Sequence, residues 1–325
     1  MEYEIIATLG PSSAAPSVWL EMLSAGVTAF RLNTSHLSLD DLLSWLEDLS
    51  TCLAPYDPQP PIILDLQGSK WRLGEFPAGS LEPGQKIQLI YSSASDDRNE
   101  LPVPHADFFQ AAAQSDGNII LNDAKIRLTI ESCSSAALAA YVLKGGELSA
   151  RKGITLASSA YRQEKLSQKD QAIFAQTCDL GFIRYAISYV KDALEMAKYR
   201  ANFGKSVYLI AKLERGPAID EARQIAESTD ELWLCRGDLG AELGLKPMAE
   251  VVARFSNQIT RFGAPVMLAG QVLEHMKEAS TPTRSEVSYL YEALLKGYRG
   301  VVLSDETAVG RYPIESCQAA ALFRD

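Results

Sequence analysis

Apolar residues follow two rhythms along this chain. Short runs rich in Ile, Val and Leu appear eight times: IIATL (5–9), AFRLN (29–33), PIILDL (61–66), FIRYAIS (182–188), VYLIAKL (207–213), ELWLC (231–235), PVMLA (265–269) and GVVLS (300–304). Runs of this length and composition read as buried strands. Longer segments with apolar residues at spacings of three and four separate them, such as LDDLLSWLEDLSTCL after the second strand and RSEVSYLYEALLKG after the seventh. That spacing predicts helices. Eight strand–helix units in succession predict a (β/α)8 TIM barrel, an α/β fold.

One stretch breaks the alternation. Between the third strand and the next helix lie nearly ninety residues, roughly 73–160, including GEFPAGSLEPGQKIQLIY, NIILNDAKIRLTI and AALAAYVLKGGELSARKG. Gly and Pro clusters punctuate short alternating runs there, which predicts a small all-β domain inserted into the barrel. The expected division is therefore 1–72 and 161–325 for the barrel, with 73–160 as an inserted β lid. An insertion after a barrel strand emerges on the face where barrel active sites lie, so it is placed to cover one.

Composition narrows the field of functions. The chain has 325 residues, 47% hydrophobic and 22% charged, enough for a substantial core and too apolar for disorder. Its net charge of −10 argues against a surface that holds nucleic acid or an anionic membrane. Cys52, Cys133, Cys178, Cys235 and Cys317 are scattered and form no C-x-x-C pair, which points away from zinc or disulfides and toward a reducing cytoplasm. The start, MEYEIIATLG, has no signal-peptide pattern, and no apolar run approaches the roughly 20 residues that span a bilayer. A soluble protein is expected.

The strand ends carry the chemistry. In a (β/α)8 barrel they converge on one mouth. Here they present Thr8; Arg31, Asn33 and Ser35; Asp65 and Arg72; Ser188; Lys212 and Glu214; Arg236 and Asp238; Gly270 and Gln271; Ser304 and Glu306. Carboxylates on adjacent strands, Glu214 and Asp238, suit a hard divalent cation such as Mg2+, with substrate phosphate completing its shell. Arg31, Arg72, Lys212 and Arg236 balance anionic oxygens. Such a set fits phosphoryl chemistry, where positioning and charge neutralisation supply most of the catalysis.

Nine segments in order, IIATLGPSS, AGVTAFRLNTSH, LDLQGSKWR, GGELSARKGITL, LSQKDQ, LIAKLE, LCRGDLGAEL, STPTRSEV and LSDETAVGRYP, resemble those of the pyruvate kinases. The resemblance implies transfer of the phosphoryl group of phosphoenolpyruvate to ADP, giving pyruvate and ATP with Mg2+ or Mn2+ as cofactor. It implies catalytic roles for Lys212, Arg31 and Arg72, and metal ligation by Glu214 and Asp238. Substrate contacts fall to Arg236, Gly237, Asp238, Gly270, Ser304 and Glu306, the backbone amides of 236–238 receiving the substrate carboxylate. Nucleotide contacts fall to Asn33, His36, Arg72 and Lys152. A monovalent-ion region is implied at Asn33, Ser35, Asp65, Leu66 and Lys70. The insertion corresponds to the mobile lid that excludes water.

Three departures qualify that expectation. The sequence ends on YPIESCQAAALFRD, without the C-terminal regulatory domain typical of the family, so its effector site and a major tetramer contact are expected to be absent and a homodimer remains open. Lys70 stands where potassium-dependent members have glutamate, which predicts that potassium is not required. Gly270 replaces the family's active-site threonine, and S-G-E-T becomes Ser304, Asp305, Glu306 and Thr307, so slow turnover is expected. Two other readings stay open at this point: a metal-dependent lyase or decarboxylase acting on pyruvate or oxaloacetate, and a catalytically weak regulatory homologue.

Overall fold

A computed structural model of the chain describes residues 1–122, 125–156 and 166–324. The chain divides into two compact units, one of residues 1–67, 166–236 and 250–325, the other of residues 68–165 and 237–249. In the first unit, strands β1 (Glu4–Thr8), β2 (Ala29–Asn33) and β3 (Ile62–Leu66) precede the insertion. In the insertion are β4 (Gly79–Leu81), β5 (Lys86–Ile90), β6 (Glu100–Pro102), β7 (Asn118–Leu121), β8 (Ile126–Cys133), β9 (Ala137–Lys144), β10 (Gly146–Leu148) and β11 (Ile154–Leu156). After it come β12 (Ile183–Ile187), β13 (Tyr208–Leu213), β14 (Glu231–Cys235), β15 (Val266–Ala269) and β16 (Gly300–Leu303). The order β1-β16-β15-β14-β13-β12-β3-β2 closes a barrel in which every pairing is parallel.

All eight barrel strands lie within a residue of the expected runs. Strand alternation then decides which side chains meet inside: Ile6, Ala29, Ile63, Ala186, Ile210, Trp233, Met267 and Val302 form one apolar layer, with Cys235 and Ala269 above it. The intervening residues, including Ile5, Phe30, Leu64, Leu209, Leu232 and Leu268, are equally buried, as strands covered by helices on their outer face require. Two of those helices are fixed by reciprocal caps. Ser38 and Asp41 bond each other's backbone N–H at the start of Leu39–Leu53, and Thr283 with Glu286 does the same for Arg284–Lys296. The second of these ends on Gly297 at φ +104°, a left-handed position that glycine adopts without penalty.

The second unit is built on a six-stranded sheet, β11-β7-β8-β9-β5-β6, with a separate β4–β10 pair. Besides its strands it carries a helix, Ala106–Ala112, whose Phe108 and Phe109 pack with Trp71, Leu89, Leu128 and Val142 in a core of its own. The aromatic pair Trp71–Phe108 meets edge to face at 5.3 Å. The expected end of the insertion, at residue 160, lies outside the described residues. No described helix is long and apolar enough to cross a membrane.

Candidate active site

The polar mouth follows from the alternation that builds the core. Moving two residues along each strand leads from Ile6 to Thr8, Ala29 to Arg31, Ile63 to Asp65, Ala186 to Ser188 and Ile210 to Lys212. Asp65 is the hub. Its Oδ2 accepts from Arg31 Nε at 2.7 Å and faces Arg31 Nη2 at 2.6 Å and Lys212 Nζ at 3.0 Å. Its Oδ1 accepts from Lys212 Nζ at 3.1 Å and from Ser188 Oγ at 2.8 Å. Arg31 Nη1 donates to Thr8 Oγ1 at 2.8 Å, and Thr8 in turn donates to Leu303 O.

Lys212 links this hub to Glu214. Its ammonium lies 3.0 Å from Glu214 Oε1 and 2.9 Å from Ser188 Oγ, and Glu214 Oε2 accepts from the Tyr189 amide at 2.7 Å. Tyr189 holds φ at +64°, an unfavourable backbone state for a tyrosine, and the hydrogen bond that its N–H donates to Glu214 together with Arg215 stacked 4.3 Å from its ring keeps it there. Burial by itself raises the pKa of Asp65, but Lys212 and Arg31 overcome it and hold the carboxyl well below its usual range. Burial likewise opposes charge on Lys212, yet Asp65 and Glu214 drive its pKa above the ordinary lysine value. Both groups stay ionised.

Around this network most other expected residues have structural partners. Asn33 caps the short turn Thr34–His36 by accepting from Ser35 N at 3.2 Å, while Thr34 Oγ1 donates to Asp65 O at 2.8 Å; His36 is exposed. Leu66 is fully buried and its carbonyl accepts from Ser188 N. Glu306 is buried, with its two oxygens accepting from Leu273 N at 3.0 Å and Ser304 N at 2.7 Å, so it fastens the ends of β15 and β16. Arg236 opens the helix Arg236–Leu243 directly after β14. Its guanidinium donates to Gly270 O at 2.7 and 3.1 Å and to Gln271 O at 2.9 Å, and lies 4.8 Å from the Tyr289 ring.

Gly270 has a backbone role of its own. Its φ is +80° and that of Gln271 is +54°, so the strand end turns through two left-handed residues whose carbonyls face Arg236. A β-branched side chain strains at such an angle. Gly270→Thr is expected to lower the unfolding free energy by about 1–3 kcal/mol, and Gly270→Asn by less, because asparagine tolerates that region. Urea unfolding of the two variants checks this, and a threonine variant as stable as the natural chain would show that the turn relaxes.

In the second unit, Lys70 Nζ pairs with Asp238 Oδ1. Arg72 donates its backbone N–H to His105 Nε2 at 3.2 Å and its side chain to Arg151 O at 3.0 Å, while Leu73 N reaches Lys152 O at 2.9 Å. Gly237 has open space where a Cβ would point. The sequence reading missed Lys169, Asp170 and Tyr289. Lys169 Nζ donates to the carbonyls of Thr34 and Leu37, bracing the turn after β2, and Asp170 accepts from Gln67 N at 3.1 Å. The segment LSQKDQ held both residues, but nothing in it showed which loop they would reach.

Among the described residues no three His, Cys, Asp or Glu side chains converge as a ready-made metal cage. The model of the family described as pyruvate kinase, barrel domain, matches residues 1–317. Curated pyruvate kinases are similar along almost the whole chain: one from Methylorubrum extorquens is 33% identical over 96% of this chain and 66% of its own length. Another from Agrobacterium vitis is 31% identical over 97% and 66%, and one from Aeropyrum pernix is 31% identical over 97% and 68%. The chain thus spans about two thirds of the length of the curated relatives it matches. With the barrel closed in the order described and the match running through β1 to β16, the chain belongs to the pyruvate kinase family.

Proposed function

We propose that this chain moves the phosphoryl group of phosphoenolpyruvate to ADP, giving pyruvate and ATP, with Mg2+ or Mn2+ as cofactor and no requirement for potassium. The observation that carries the reading is Lys212, a buried ammonium held at 3.0 Å from both Asp65 and Glu214. It remains charged while the bridging oxygen of phosphoenolpyruvate becomes an enolate, and so neutralises the charge that develops there. Arg31, anchored on Asp65 and Thr8, orients the phosphoryl oxygens, and Arg72 aligns those of the nucleotide. Glu214 and Asp238 are the residues that would hold the divalent cation. Their donors suit it, being hard carboxylate oxygens, although each is ion-paired with an ammonium in this structure, Lys212 in one case and Lys70 in the other. When bound, the cation supplies Lewis-acid charge to the reacting oxygens. Without the hydroxyl that Gly270 lacks, enolate protonation slows by up to roughly 10²–10⁴-fold, unless Ser304 or water supplies the proton.

The test mixes the purified protein with phosphoenolpyruvate, Mg2+ and ADP, GDP or UDP, in potassium, sodium or tetramethylammonium buffer. Pyruvate and nucleoside triphosphate should appear in equal amounts, at rates within about twofold across the three cations, because Lys70 supplies a positive charge of its own. Phosphoenolpyruvate left intact with every diphosphate, or oxaloacetate decarboxylated in its place, would overturn the reading.

A further inference from the structure

Asp238 is not an open carboxylate. Lys70 Nζ lies 2.5 Å from its Oδ1, and the two side chains are only 8% and 16% exposed. The lysine reaches it along a narrow path. A Cβ on Gly153 would fall 2.5 Å from Lys70 Cε and 3.1 Å from Nζ, so glycine at 153 is what lets the stem pass. That path is fixed by backbone pairing: Arg72 and Gly153 form an antiparallel bridge, flanked by Leu73 N to Lys152 O at 2.9 Å and Ile154 N to Trp71 O at 3.1 Å. The ammonium is thus delivered to Asp238 by two zipped strands of its own unit.

We infer that Lys70 is a tethered competitor for the divalent cation at Asp238 and sets how tightly this chain takes up Mg2+ or Mn2+. The inference rests on Asp238 being a metal ligand, as proposed above. An ammonium at hydrogen-bond distance from Asp238 Oδ1 opposes a divalent ion on the same carboxylate, because the two cations repel at close range. A divalent ion at Asp238 would therefore have to work against the Lys70 charge, and binding would favour the ammonium moving off. A lysine suits this exchange, since its point charge sits on a flexible stem that can swing away, whereas a planar guanidinium would hold both oxygens. Once displaced, the ammonium is free to meet an anionic oxygen, so cation uptake and anion capture help each other.

Mn2+ alone, followed by the electron paramagnetic resonance signal of the free ion and by calorimetry, reads this without turnover. Lys70→Met should bind Mn2+ roughly tenfold more tightly than the natural chain, since a neutral side chain removes the competing charge. Gly153→Ala should tighten binding severalfold in the same direction, because it pushes the lysine aside without removing either charged residue. Asp238→Asn should weaken it. If Asp238→Asn weakens binding while Lys70→Met and Gly153→Ala match the natural chain, competition by Lys70 is refuted and the metal assignment stands. If Asp238→Asn binds Mn2+ as the natural chain does, the assignment of Asp238 falls and the inference with it.

Discussion

Lys212→Met should reduce ATP formation from phosphoenolpyruvate by about 10³-fold, the scale on which a preorganised donor to a developing anion contributes. The residue pairs with both Asp65 and Glu214, so the variant leaves both carboxylates buried with less compensation. Arg31 and Ser188 still serve Asp65, and the Tyr189 amide still serves Glu214. Breaking a buried pair typically costs about 3–5 kcal/mol, so urea unfolding should show a loss at or below that range. The pH dependence follows from the directions of the shifts. Asp65 is held below its free value of 3.8, so its contribution is present above that pH and lost as pH falls further. Lys212 is raised above 10.5, so its contribution is present below that pH and lost as pH rises further. Between these limits neither group titrates, and the stability difference between natural and variant chains should be nearly flat. A variant whose kcat stays within tenfold of the natural value would remove Lys212 from the chemistry.

Glu231→Gln should abolish a fall in stability between pH 5 and pH 8. Glu231 begins β14 at the opposite end of the barrel from the mouth, with no exposed surface. It accepts from Trp233 Nε1 at 2.5 Å and from Tyr208 Oη at 2.9 Å. Arg184 is the nearby cation, but its Nη1 lies 3.8 Å away and is shared with Glu4 at 3.6 Å, while its guanidinium stacks 4.3 Å from the Tyr208 ring. Burial therefore dominates, Glu4 adds repulsion, and the Glu231 pKa is pushed up to about 7. Below pH 4.5 folded and unfolded chains both carry the proton. As pH rises from 4.5 to about 7 the unfolded chain releases it first, so stability declines, by about 3 kcal/mol in total once both forms are ionised. A glutamine keeps an acceptor for Trp233 and has no proton to lose. Urea unfolding at pH 5 and pH 8 separates the two chains, and equal slopes against pH would show that Glu231 is ionised throughout.

The mouth could be read from sequence and the floor could not, for a physical reason. Thr8, Arg31, Asp65, Ser188 and Lys212 interrupt or end apolar runs, where a polar residue has no bland explanation. Glu4, Arg184, Tyr208 and Glu231 lie at or near the beginnings of their runs, where a charge before a strand looks like ordinary surface. Both sets occupy inward positions two residues from the apolar layer, and only closure of the barrel turns the second set inside. Pairwise contacts were equally hidden. Glu306 belongs to a segment shared with the family, yet its role in joining Leu273 N to Ser304 N depends on the loops after β15 and β16 being brought together by the barrel. The left-handed turn at Gly270 and Gln271 was invisible because a glycine in a motif reads equally well as a lost side chain or as a backbone requirement.

The interior apolar layer from Ile6 to Val302 works as an insulating storey between two charged ones. Four residues of strand separate Tyr208 on the floor from Lys212 at the mouth, about 13 Å of rise. Sites that far apart with no shared partner combine their free energies almost additively. The base of this barrel can thus be rewritten for tolerance of heat or alkali as a separate engineering problem, with the electrostatics of the mouth left as they are.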